Sequence, residues 1–100
     1  MRSKRLKSFS RETVEATARG QCGYCKGCES RIDEFHHMLS NTITNHKLFP
    51  TFINSIFNCV GLCRHCHLQK AHKFRVGYDM AAEYEQELRG YKNEDGQKSV

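Results

Sequence analysis

A chain of 100 residues has room for one domain with a modest core, and none for a separate recognition module. Sixteen basic residues against eleven acidic ones give a net charge of +5, which suits a polyanionic partner but is also that of a merely soluble basic protein. No apolar run follows the basic N-terminus, so neither a secretory leader nor a membrane span is expected.

A reducing, cytoplasmic setting is therefore expected, and there six cysteines argue for metal rather than disulfides. Residues 1–9 read as a flexible basic arm carrying Arg2, Lys4, Arg5 and Lys7. Ser10 is placed to cap a helix running to about Arg19, with Glu12 in its first turn and Gly20 just past its end. Cys22-Gly23-Tyr24-Cys25 then reads as a tight turn that points two thiols at one ion. Residues 31–38 fit a short strand, and 41–47 read as polar turn. After Pro50, residues 51–57 are predicted as a short helix giving Phe52, Ile53 and Ile56 to the core. Cys59-Val60-Gly61-Leu62 fits a second strand. A helix is expected from the next knuckle to about Phe74, another from Met80 to Arg89, and a disordered tail over 91–100.

The strongest chemical pattern is Cys22-x2-Cys25, a 37-residue insert, and Cys63-x2-Cys66. Zinc takes four soft ligands in a tetrahedron, and each C-x2-C turn supplies two neighbouring corners. These four are expected to form a closed structural site. Cys28, three residues after Cys25, competes as a ligand, and Cys59 reads as an inert core thiol. A second constellation lies inside and after the insert. His36 and His37 are adjacent on the first predicted strand, and His67 follows Cys66 directly. Zinc would bring these segments together, with one imidazole of the pair on a metal and the other addressing water or phosphate.

The run Glu34-Phe35-His36-His37-Met38, followed by Asn58-Cys59-Val60-Gly61-Leu62-Cys63-Arg64-His65-Cys66-His67-Leu68-Gln69-Lys70, resembles the HNH endonuclease motif. The resemblance spans residues 22–73. It implies an α+β fold, a small zinc-stapled ββα-metal domain over residues 10–90 with flanking N- and C-terminal helices. His37 would be the general base, Asn58 would orient the base or support the metal loop, and His36 and His67 would bind one catalytic divalent ion. Segment 39–45 lacks the Pro and Gly-Gly pair common in that family, and the loop before Asn58 is long, so Asn54 competes with Asn58. Position 71, one turn beyond His67, is Ala; His72 is a weaker candidate ligand, and His46 and His65 read as bystanders.

The function implied is metal-dependent hydrolysis of DNA phosphodiesters, with Mg²⁺, Mn²⁺, Ni²⁺ or Zn²⁺ as the working ion. Arg64, Lys70, Lys73 and Arg75 would contact phosphates of a DNA duplex without reading bases, and a protein partner would supply any sequence preference. Small nucleases of this kind resemble those of phages, mobile elements and restriction systems, which suggests a bacterial or phage-infected cell without choosing among them. The competing readings are a non-catalytic zinc module that binds nucleic acid and a zinc scaffold that binds protein.

Overall fold

In the computed structural model, Ser10 caps the first helix as its residue type suggests. Its Oγ accepts the Thr13 N–H, and α1 runs Arg11–Gly20. The structure describes residues 6–97, with side chains for residues 6–90. Residues 1–5 of the arm and 98–100 of the expected tail lie outside the described residues.

Gly20 does not end α1 in the way expected. The reversal falls two residues later, where Cys22 adopts φ 56° and Gly23 φ 81°. The Cys22 N–H reaches the Arg19 carbonyl and the Gly23 N–H that of Ala18, closing the last helical carbonyls. Gln21 then docks the helix on the sheet. Its side-chain amide accepts from the Gly61 N–H at 2.9 Å and donates to the Gly61 carbonyl at 3.0 Å, much as a neighbouring strand would.

That sheet has two antiparallel strands, β1 (Glu34–His37) and β2 (Cys59–Leu62), with Glu34 opposite Leu62 and His37 opposite Cys59. Side chains alternate along a strand, so Glu34 and His36 share one face of β1 and Phe35 and His37 the other. All four residues of β2 are buried.

Between the strands the reading of the sequence needs two corrections. Residues 41–47 are not a turn: Thr42 Oγ1 accepts the Asn45 N–H and starts α2 (Ile43–Leu48). Residues 51–57 are not a helix but a series of turns ending in one 3-10 turn, Ile56–Asn58. The buried Glu85 carboxylate accepts the N–H groups of Thr51 and Phe52 at the start of these turns. Burial pushes the Glu85 carboxyl up, but those N–H groups and the Arg89 guanidinium outweigh it and hold it below its ordinary value. Phe52 and Ile53 are fully buried as expected, whereas Ile56 is 41% exposed.

After β2, Cys63 caps α3 (Arg64–Gln69), which is shorter than expected and gives way to a 3-10 turn at Ala71–Lys73. The last helix, α4 (Tyr78–Gln97), runs on through Gly90, where a stop was expected. Among the described residues no helix is long and apolar enough to cross a membrane.

Two cores result. One packs Val60 and Leu62 of β2 with Cys25, Cys63 and Cys66, and with Met38 and Phe74 at its edge. The other packs Leu39, Phe49, Phe52 and Ile53 against Ala81 of α4. Three cysteine side chains are thus a large part of the first core.

Candidate functional site

Four sulfurs meet at one end of the sheet. Cys25, Cys28, Cys63 and Cys66 place their Sγ atoms within 4.8 Å of one another, the spacing of a tetrahedral thiolate centre. Cys22, predicted as the first ligand, is not among them. Its left-handed backbone is committed to terminating α1, and its side chain is exposed. The knuckle is instead Cys25-Lys26-Gly27-Cys28. The Gly27 N–H donates to Cys25 Sγ at 3.2 Å and the Ser30 N–H to Cys28 Sγ at 3.4 Å, while Cys66 N–H donates to Cys63 Sγ at 3.4 Å. A Cβ on Gly27 would lie 3.0 Å from Cys66 Sγ, so glycine is what lets the two knuckles close on each other.

The four thiols lie close enough to hold a metal ion together. The Ser30 hydroxyl and N–H pull Cys28 down to about 6. Burial and the three neighbouring sulfurs push Cys66 up to about 12. Four thiolates cannot coexist here unaided; a dication reverses that balance, and zinc or a similar soft-ligand ion fits the donor set.

Next to this centre, β1 and α3 bring imidazoles together. The rings of His36 and His67 lie edge to face with centroids 5.0 Å apart. Each ring has one nitrogen fixed by an acceptor. His36 Nε2 donates to the Phe74 carbonyl at 3.1 Å, and His67 Nδ1 donates to the Glu34 carboxylate. His36 Nδ1 and His67 Nε2 are the nitrogens these acceptors leave unengaged, the ones through which a metal could be held. Glu34 was not singled out in the sequence, although strand alternation places it on the face of His36.

His37 points to the opposite face of β1, where two groups hold it. Its ring stacks on Phe9 at 3.9 Å, with the planes 14° apart. Its Nε2 lies 2.8 Å from Asn54 Oδ1, and the Asn54 amide is oriented because Nδ2 donates to the Lys7 carbonyl at 3.1 Å. Nε2 of His37 thus carries the proton and Nδ1 is bare. Burial lowers both His36 and His37 below the ordinary histidine value, so both are neutral at pH 7; the Phe74 carbonyl and the Asn54 amide offset this only in part.

His36 and His37 together line an open cleft of about 260 Å³ with Ser40, His72 and Arg75. Of the other predicted phosphate contacts, Lys70 reaches the Gly27 carbonyl, whereas Arg64 and Lys73 are exposed on α3 and the turn after it. His46 is bonded to Asn41, and His65 is exposed.

Asn58 is not bonded to His37. It is fully buried and staples the loop between the strands: Oδ1 accepts the Leu39 N–H at 2.6 Å, and Nδ2 donates to the carbonyls of Leu39 and Ile53 at 3.1 and 2.9 Å. The contact to His37 belongs to Asn54. Replacing Asn58 by alanine orphans a buried N–H and two buried carbonyls, each worth ~1–3 kcal/mol. Chemical denaturation is expected to show a loss of about 3 kcal/mol at unchanged metal content. A loss below about 1 kcal/mol would mean that the loop holds itself.

No family model matches this chain, and no curated protein or solved structure matches it either.

Proposed function

We propose that this chain is a metal-dependent endonuclease of the HNH type, acting on DNA. One observation carries the reading. The imidazoles of His36 and His67 meet at 5.0 Å, and His36 also lines one cleft with His37, whose Nε2 is bonded to Asn54.

His36 and His67 would hold a divalent ion, which supplies positive charge to the scissile phosphate and its leaving oxygen. The chain's own groups do the rest. Neutral His37 takes a proton at Nδ1 from a water whose oxygen forms the new bond to phosphorus. The bond from phosphorus to the 3′-oxygen breaks, and that oxygen takes a proton from solvent, leaving 5′-phosphate and 3′-hydroxyl ends. Asn54 keeps His37 in the tautomer that accepts, and the Phe9 ring keeps the imidazole plane fixed. Arg75, at the mouth of the cleft, neutralises a non-bridging phosphate oxygen. The four-cysteine centre is structural: its ion would hold α3, and with it His67, against β1.

The test is the conversion of supercoiled plasmid to nicked circles by zinc-loaded protein, with Mg²⁺ or Mn²⁺ added. Nicking that requires the added ion is the expected result. Intact plasmid across several metals and pH values, with salt-sensitive binding retained, would make the chain a non-catalytic nucleic-acid module. No binding at all would leave a protein-binding scaffold.

A further inference from the structure

The His36–His37 cleft is small. Its volume of about 260 Å³ falls below the ~300–1,000 Å³ of ordinary ligand sites. It does not end there. At Ser40 and Arg75 it adjoins a second cleft of about 590 Å³, between the loop after β1 and the start of α4.

The second cleft presents hydrogen-bond donors and a cation. Ser40, Thr42 and Thr44 line it with hydroxyl side chains and Arg75 with its guanidinium, while the Tyr78 hydroxyl proton is already given to Asn45. Among the described residues that line the two clefts there is no carboxylate. Its width is also fixed in advance. Asn45 is 4% exposed; its Nδ2 donates to the Ser40 carbonyl at 2.8 Å, and its Oδ1 accepts the Tyr78 hydroxyl at 3.0 Å. One buried amide thus ties the two walls of the cleft together. A rigid, carboxylate-free groove of hydroxyls with one arginine is matched to an anion rich in acceptor oxygens.

We propose that this groove is a second phosphate subsite, which seats the phosphodiester next to the scissile one on the same DNA strand. The proposal rests on the endonuclease reading and adds the direction of the strand to it. The strand enters at His36 and His37, passes Arg75, and continues along Thr42 and Thr44 to Tyr78.

Thr44 allows a test that spares the histidines. It is exposed in the first turn of α2, where glutamate suits a helix, so Thr44→Glu folds while placing a carboxylate in the groove. Gln86→Glu, on the exposed side of α4, makes the same change in net charge away from both clefts. Binding of the zinc-loaded full chain to a short labelled DNA duplex is followed by fluorescence anisotropy over a salt series, without added Mg²⁺ or Mn²⁺. Plasmid nicking is measured in parallel with the ion added. Thr44→Glu is expected to bind about tenfold more weakly and to lower the salt slope by about one, with Gln86→Glu within about twofold of wild type. In the nicking assay Thr44→Glu is expected to raise KM and leave kcat in place. Equal weakening by the two variants, with wild type still nicking, overturns the subsite and leaves the nuclease standing. Wild-type protein that neither binds nor nicks overturns both.

Discussion

Cys28→Ser is expected to cost the protein its fold, and Cys22→Ser to cost almost nothing. The two residues flank Cys25 at the same spacing, three before and three after, so sequence separation does not distinguish them. The structure does. Cys28 Sγ lies 3.6 Å from Cys63 Sγ within the four-sulfur cluster, whereas Cys22 ends α1 in a left-handed turn. A structural zinc contributes an apparent ~10–16 kcal/mol in small domains. A domain's whole net stability is only about 5–15 kcal/mol. Weakening the site by one ligand is therefore enough to unfold a chain whose first core is built around it. Cys22→Ser keeps the same backbone, and its stability is expected within about 0.5 kcal/mol of wild type, as at other surface positions. Bound zinc by metal analysis and thermal unfolding by circular dichroism check both. Cys22→Ser protein that loses its zinc would return the first ligand to position 22. Chelation of the wild type is expected to produce the same unfolding as Cys28→Ser.

That pair also shows where reading the sequence stops. Two C-x2-C knuckles could be foreseen, because zinc chemistry dictates residue type and spacing. Which of three evenly spaced cysteines to leave out depends on where α1 ends, and helix ends are decided by one or two residues of backbone conformation. Gly20 looked like the stop, yet Cys22 takes the left-handed position. The asparagines divide in a similar way. Asn58 lies just before β2 and is drawn inward to bond the loop, while Asn54 lies in the turns before it and meets His37. Both roles come from contacts across 17 and 19 residues, which no local pattern encodes. The meeting of His36 with His67 was legible because strand register and the Cys63 cap place both beside the sulfur cluster. The stacking of Phe9 on His37 was not, since nothing in a basic arm announces a contact with the sheet.

Under the proposed chemistry, His37→Ala is expected to lower plasmid nicking by ~10²–10⁴-fold, the usual worth of a positioned general base. The loss falls on kcat, because His37 contributes to proton transfer rather than to holding the duplex. DNA affinity and thermal stability stay close to wild type, since the ring is only partly buried and packs on an arm residue rather than in either core. Asn54→Leu tests the mechanism further. It removes the acceptor from His37 Nε2 without touching the ring, so the tautomer with bare Nδ1 loses its preference. A smaller fall in kcat, of about ten- to a hundredfold with KM unchanged, is then expected, since a positioning contact is worth less than the proton transfer it serves. The double variant separates positioning from independent action. If Asn54 works through His37, adding Asn54→Leu to His37→Ala costs nothing more, whereas additive losses would give Asn54 a separate contact with substrate. Nicking by His37→Ala at the wild-type rate would remove the base from the mechanism. The thiolate centre and the paired imidazoles of His36 and His67 would then need a different chemistry.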